Sequence, residues 1–256
     1  MSEPYLIWTM RRTGGTTLAS LLASLSEHPK IEHEPFNHDR ALGHVFLRFK
    51  ETGDEAMLRA MLRECLGARP LIKHCHELKP AAFNLALLQV ACSLGYRQVV
   101  LDRRNEIDRI LSLELAALTG AWGGAEARRI YPAIEAGTQT LPAMDLPRLL
   151  REMTHCHLRR RELAEMMRQI GAAPFVVYFE DIYAEHAQGR ALIERLLAFL
   201  GIDPAEHEGY ERLVEEALLR RGQNSARIMD AVPNLAEMKA EMARHEAECR
   251  PVFEAS

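Results

Sequence analysis

Tyr5-Leu-Ile-Trp-Thr-Met-Arg-Arg-Thr-Gly-Gly-Thr-Thr-Leu18 reads as a buried strand, a glycine-threonine turn and the start of a helix. Residues 5–10 form a short apolar run suited to a central parallel strand. Leu18, Leu21, Leu22 and Leu25 then recur at i, i+3, i+4 and i+7, which is one face of a helix. Between them, Gly14 and Gly15 let the backbone come close to a ligand, and Thr13, Thr16 and Thr17 add hydroxyls. The helix start contributes amides with positive dipole character, so an anion such as phosphate is expected there. A nucleotide triphosphatase loop would read Gly-x-x-x-x-Gly-Lys-Ser/Thr, its hydroxyl holding magnesium, but no lysine follows the second glycine here. Arg11 or Arg12, rather than a metal, is therefore expected to balance the anion's charge. Glycine-threonine turns also open many helices that bind nothing, so the surroundings decide.

Working outward, strand and helix signals alternate. An irregular stretch from His28 to Asn37 precedes a helical pattern around Glu55 to Leu66, and Pro70-Leu-Ile-Lys-His-Cys75 reads as a strand. Residues 80–94 read as a helix, Arg97-Gln-Val-Val-Leu101 as a strand, and Glu106 to Leu118 as a helix. Leu149 to Ile170 is a long arginine-rich amphipathic helix ended by Gly171, followed by the strand Pro174-Phe-Val-Val-Tyr178 and a helix over 190–200 that stops at Gly201-Ile-Asp-Pro204. This order predicts an α/β, three-layer fold with a central, mostly parallel sheet flanked by helices, whose ligands bind beyond the carboxyl ends of the strands. Residues 119–146 are rich in glycine, proline and small residues, and are expected to form a loop or loosely helical excursion that serves as an acceptor lid.

The 256 residues suit one domain over 1–256, and 48% hydrophobic with 27% charged residues is ordinary for a soluble globular protein. A net charge of −4 argues against a general nucleic-acid or membrane-surface binder, while local arginine clusters still suit a phosphorylated small molecule. No apolar run is long enough to span a bilayer and Met1-Ser-Glu-Pro lacks the features of a signal peptide, so a cytoplasmic protein is expected. The five cysteines, Cys65, Cys75, Cys92, Cys156 and Cys249, are scattered and read as reduced thiols.

A second candidate anion site is Leu101-Asp-Arg-Arg-Asn-Glu-Ile-Asp-Arg-Ile-Leu-Ser112, where a strand ends in two arginines and a helix begins. Arg104 and Ser112 are eight residues apart, which places an arginine at the strand end and a serine two turns into the helix, within reach of one phosphate. Two basic sites on one sheet edge point to a ligand with two anionic ends.

At these residues the chain resembles the sulfotransferases that use 3′-phosphoadenosine-5′-phosphosulfate (PAPS). Their 5′-phosphosulfate motif, Lys/Arg-Ser/Thr-Gly-x-Thr-x-Leu, is similar to Arg12-Thr13-Gly14-Gly15-Thr16-Thr17-Leu18. Their 3′-phosphate motif, Arg-Asn-Pro-x-Asp with a serine eight residues after the arginine, is similar to Arg104-Asn105-Glu106-Ile107-Asp108 with Ser112, Glu106 replacing the proline. Tyr178-Phe-Glu-Asp-Ile182 and Phe199-Leu-Gly-Ile-Asp203 resemble later family stretches, and Arg220-Arg221-Gly222 resembles a third 3′-phosphate contact without its second glycine. Bacterial carbohydrate sulfotransferases of the trehalose type carry a glutamate in a Glu-Pro-Phe context, which Glu34-Pro35-Phe36 matches. Cytosolic eukaryotic enzymes use the histidine of Lys-x-His, where Lys73-His74-Cys75 presents cysteine, leaving His74 or His76 as neighbours.

The resemblance implies a P-loop-like enzyme moving a sulfuryl group from PAPS to a hydroxyl of a carbohydrate, lipid or small metabolite, with 3′-phosphoadenosine-5′-phosphate (PAP) as product and no metal. Glu34, or else His76, would take the proton, Arg12 and the amides of residues 13–17 would stabilise the departing phosphate, and Arg104, Ser112, Arg220, Arg221 and Gly222 would hold the 3′-phosphate. A homodimer is also implied. A P-loop kinase-like phosphotransferase and a non-catalytic nucleotide-binding protein remain the alternatives.

Other features read more plainly. His155-Cys156-His157 cannot share one metal on a helix, because residues two apart point about 200° apart. His74-Cys75-His76 shares a strand face without a further ligand set. Arg159-Arg160-Arg161 reads as a solvated helix face, Trp8 as core, and Trp122 as core or acceptor-stacking.

Overall fold

All five residues of β1, Tyr5–Thr9, are buried, as a strand covered on both faces requires. β2 (Ile72–Cys75) pairs with it in parallel on one side and β3 (Arg97–Asp102) on the other; β4 (Phe175–Tyr178) pairs with β3, giving the order β2-β1-β3-β4. Thr9 lies opposite both Cys75 and Leu101, so three strands end level. The computed structural model describes residues 2–30, 33–219, 225–246 and 251–256.

The described helices are α1 (Gly15–Ser24), α2 (Gly43–Thr52), α3 (Glu55–Gly67), α4 (Ala81–Ser93), α5 (Glu106–Thr119), α6 (Gly124–Glu135), α7 (Leu146–Gln169), α8 (Phe179–Tyr183), α9 (His186–Phe199), α10 (Tyr210–Leu219), α11 (Ala226–Met229) and α12 (Leu235–Glu246). None is long and apolar enough to cross a membrane among the described residues. Helix starts follow local chemistry: Asp54 accepts from the Met57 amide at 2.9 Å, and Glu185 caps the amides of Ala187 and Gln188.

Strand alternation sorts the core into two layers. Leu6, Trp8, Ile72, Val100 and Val176 pack with α2, α3, α4 and the last turns of α7; Tyr5, Ile7, Val99, Leu101 and Val177 pack with α1, α9 and α10. Trp8 is core as expected, its indole donating to Gln98 Oε1 at 2.8 Å. Both sheet edges carry extra backbone. Lys30 bridges Leu71 in parallel, and Val176 exchanges hydrogen bonds with Ser256 (amide to Oγ 2.8 Å, Ser256 amide to Val176 carbonyl 3.2 Å). The Tyr178 hydroxyl donates to the Phe253 carbonyl at 2.5 Å.

The described residues group into two compact units, one drawn from 1–102, 159–220 and 253–256, the other from 103–158 and 221–252. The first holds the sheet. The second holds α5, α6, α11, α12 and the first turns of α7. Within it, Asn234 both donates to and accepts from the backbone of Met144 at 2.9 Å, and Arg227 forks onto Glu135 with two bonds of 2.7 Å. The 119–146 excursion is more ordered than a loop, since α6 buries Ala127, Tyr131 and Ile134.

The arginine run corrects the expectation of a solvated face. Arg160 is buried and forks onto Asp102, the last residue of β3, with Nε–Oδ2 at 2.7 Å and Nη2–Oδ1 at 3.0 Å. Arg159 donates to Glu162 and to the Lys79 carbonyl, and Arg161 is exposed. A carboxylate at the end of a buried strand needs a cation, and the helical pattern alone does not show which arginine supplies it.

Candidate functional site

β1 ends at Thr9, and the next residues turn tightly. Thr13 is buried, its hydroxyl donating to the Met10 carbonyl at 2.8 Å and lying 2.5 Å from Thr9 Oγ1. Arg12 (φ 69°) and Gly14 (φ 79°) both take the left-handed conformation, which curls the intervening amides into a concave nest. The first helical bonds run from the Thr17 and Leu18 amides to the Gly14 carbonyl, so the amides of Gly14, Gly15 and Thr16 precede the intrahelical ladder. Gly14 at the N-cap brings no side chain to cover them. An anion there meets backbone donors and the dipole's positive end.

The hydroxyls divide. Thr13 holds the loop together, Thr17 is hydrogen-bonded to Tyr183, and Thr16 stays exposed. Phe179 and Tyr183 pack with ring centroids 4.7 Å apart and their planes tilted by 44°, and a Cβ on Gly14 would come within 2.8 Å of the Phe179 ring. Burial raises the Tyr183 hydroxyl to about 12, against the lowering bond from Thr17.

The cation missing from the loop arrives on β2. Lys73 Nζ lies 3.4 Å from Thr16 Oγ1 and 2.8 Å from Glu34 Oε1. Its chain runs against Gly15, with Cδ and Cε 3.5 Å from where a Cβ on that glycine would stand. Only 7% of the Lys73 side chain is exposed. Arg11, one of the two arginines expected to serve the anion, is held elsewhere: its amide and its Nε donate to Glu77 Oε1 at 2.9 and 3.0 Å. Arg12 is half-buried in the loop itself.

Glu34 is held by the same strand. Its amide donates to the Lys73 carbonyl at 3.1 Å, and Asn37 Nδ2 donates to its Oε2 at 2.9 Å. Its φ of 58° is left-handed, as is that of Arg12, and such strained conformations in non-glycine residues cluster at functional sites. Burial by itself raises the Glu34 carboxyl, but the Lys73 charge and hydrogen bonds from Lys73, Cys75 and Asn37 outweigh it and hold the pKa at about 2.

The neighbouring histidines sit differently. His74 Nε2 meets Asn84 Oδ1 at 2.8 Å, and because the Asn84 amide nitrogen already donates to the His76 carbonyl, Nε2 carries the proton. His74 packs edge-on against Trp8 and Phe36, and burial lowers it to about 4. His76 is buried in a one-turn 3-10 helix, His76–Leu78, so the strand alternation expected for His74 and His76 ends before it. Among the described residues, no three His, Cys, Asp or Glu side chains gather as a metal set.

In the second unit, Arg104 is exposed between β3 and α5, and Ser112 is buried on α5 with its hydroxyl 2.9 Å from Ser225 Oγ. Asn105 caps α5 by accepting from the Asp108 amide at 2.9 Å. Glu106, at the position where the sulfotransferase motif it resembles has proline, forks onto the fully buried Arg109 with two bonds of 2.7 Å. Arg220, Arg221 and Gly222 lie outside the described residues, as does Cys249.

Sequence reasoning missed Lys73 as a partner of the loop, Asn37 and Cys75 as donors to Glu34, and the Phe179–Tyr183 pair. The signal for Lys73 was its place two residues before the end of a strand adjoining β1.

No family model matches the sequence, and no curated protein matches it. Among solved structures, the chain is similar to the sulfotransferase domain from the Synechococcus PCC 7002 olefin synthase. That likeness has 14% identity and a TM-score of 0.41, covering 100% of this chain and 91% of that one.

Proposed function

We propose that this chain is a sulfotransferase that moves a sulfuryl group from PAPS to the hydroxyl of a carbohydrate, lipid or small metabolite. The observation that carries the reading is the placement of Lys73 Nζ, 3.4 Å from Thr16 Oγ1 at the amide cradle and 2.8 Å from Glu34 Oε1. A cation between an anion cradle and a carboxylate suits transfer of an anionic group to a hydroxyl. In this reading the cradle takes the 5′-phosphosulfate, and the Phe179–Tyr183 pair beside Gly14 offers a ring face to the purine.

The acceptor oxygen attacks sulfur in line, a new S–O bond forms, and the bond from sulfur to the bridging phosphate oxygen breaks. Glu34 takes the hydroxyl proton. Lys73, Arg12 and the amides of Gly14, Gly15 and Thr16 stabilise the charge growing on the departing phosphate; the Thr17 amide is already committed to Gly14. Glu34 is assigned the proton in preference to His76 because it shares Lys73 with the cradle. Arg104 and Ser112 are assigned the 3′-phosphate, with Arg220, Arg221 and Gly222 as further contacts. The whole of 1–256 is taken as one functional domain, with 119–146 as acceptor lid.

Calorimetry with PAP against adenosine diphosphate plus magnesium tests the donor. PAP binding that is weakened in Arg104→Ala is expected; preference for the diphosphate would replace this reading with a kinase-like one, and absence of both with a non-nucleotide function.

A further inference from the structure

In the arrangement seen, Glu34 makes a poor base. A carboxylate gripped by an ammonium at 2.8 Å and by Asn37 at 2.9 Å binds a proton weakly, yet the transfer needs it to accept one. The same ammonium lies within reach of the cradle.

We propose that Lys73 is a donor-operated switch: with the cradle empty it neutralises Glu34, and when an anion occupies the cradle it turns to the anion, leaving Glu34 able to take the acceptor's proton. Lys73 thus acts as a positioning residue for the base, beyond its part in holding the donor. The coupling rests on the reading of Glu34 and the cradle given above.

Three features support it. The buried stem of Lys73 is fixed beside Gly15, so only the terminal ammonium needs to choose between Glu34 and the cradle. The phosphosulfate carries two negative charges, one on its phosphate and one on its sulfate, against the single charge of Glu34, so at comparable distance it attracts the ammonium more strongly. Once the ammonium leaves, the burial of Glu34, which raises its proton affinity, loses its main opposing influence. The other titratable groups around Glu34 are His33 in its own loop, His74 and Cys75 of β2, and Lys79 beyond the 3-10 turn. Cys75 and Asn37 also bond to the carboxylate, so its orientation does not depend on Lys73 alone.

The consequence concerns timing. Without donor, an acceptor hydroxyl meets a carboxylate that is already neutralised; with donor, it meets a base. Acceptor activation is thereby confined to the loaded enzyme.

The test is a 13C NMR titration of the Glu34 carboxyl in the whole chain, assigned with Glu34→Gln, in the absence of anion, with inorganic pyrophosphate and with PAP. An upward move of the midpoint by about one pH unit or more with either ligand is expected. In Lys73→Met the midpoint should start high and move less with ligand than in wild type, the remainder being direct repulsion by the anion. A wild-type midpoint that holds still while calorimetry records anion binding would overturn the proposal, and so would failure of both anions to bind. If pyrophosphate binds and moves the midpoint while PAP does not bind, the switch stands and the sulfotransferase reading falls. The wild-type titration decides the matter even if Lys73→Met does not fold.

Discussion

Asp102 and Arg160 form a two-bond ion pair, 2.7 and 3.0 Å, with both side chains almost wholly buried. The carboxylate closes β3 and the guanidinium rises from α7, so one pair ties the end of a central strand to the helix over it. Asp102→Ala leaves a buried guanidinium without its carboxylate and is expected to cost about 3–5 kcal/mol. Urea denaturation should show the midpoint falling at unchanged slope. A loss below about 1 kcal/mol would place the pair with exposed ones.

Acid should weaken the fold in two stages. Folding lowers His74 from 6.5 to about 4 and Glu34 from 4.5 to about 2, so at each the unfolded chain binds protons more readily. The His74 contribution is full above pH 6.5 and lost towards about 4; that of Glu34 is full above 4.5 and lost towards about 2. Glu34→Gln should flatten the lower stage, worth about 3 kcal/mol at most. Parallel stability profiles of wild type and variant below pH 4.5 would remove this account.

Gly14→Ala strikes the cradle twice, through its φ of 79° and through a Cβ 2.8 Å from the Phe179 ring. Left-handed backbone alone costs alanine about 1–2 kcal/mol. Adding Phe179→Ala should relieve the collision but not the backbone strain, restoring thermal stability in part. Full restoration would show that the ring alone requires glycine.

Glu34→Gln is expected to lower sulfuryl transfer about 100-fold or more while PAP affinity changes little. A radiolabelled-donor assay beside calorimetry separates the two effects. Retained turnover would move the base to another group, with His76 next in line.

Ser112→Ala should weaken PAP about tenfold, the value of one hydrogen bond to a charged group, and leave adenosine diphosphate unchanged. Equal losses for both nucleotides would assign Ser112 to packing against Ser225 instead.

The sheet was legible because each strand is a short apolar run between turn signals: the runs at 5–10, 70–75, 97–101 and 174–178 all became strands. Helices with clear periodicity, such as α3, α4 and α5, were found within a residue or two of their ends. α2 passed unread because its apolar residues, Val45, Phe46, Leu47 and Phe49, crowd together and do not mark one clean face, Leu47 standing exposed, and α6 was hidden by flanking glycines and Pro132. In the site, the cradle and Glu34 were visible as local motifs. Lys73 was not, because its meeting with Thr16 depends on the pairing of β1 with β2 across 57 residues. Arg160 escaped for the same reason: the arginines of 159–161 are chemically alike, and only the fold selects the one that faces Asp102.

The last described residues, Phe253 to Ser256, lie along β4 and engage its outward backbone groups at Val176. A parallel sheet with bare margins is a template for strands of other chains. Phe253 to Ser256 occupy part of this margin in the way that blocks such recruitment, and Lys30 beside Leu71 occupies part of the opposite one. Damage to either segment would therefore be felt first as clumping in concentrated solution, before any change in what a single molecule does.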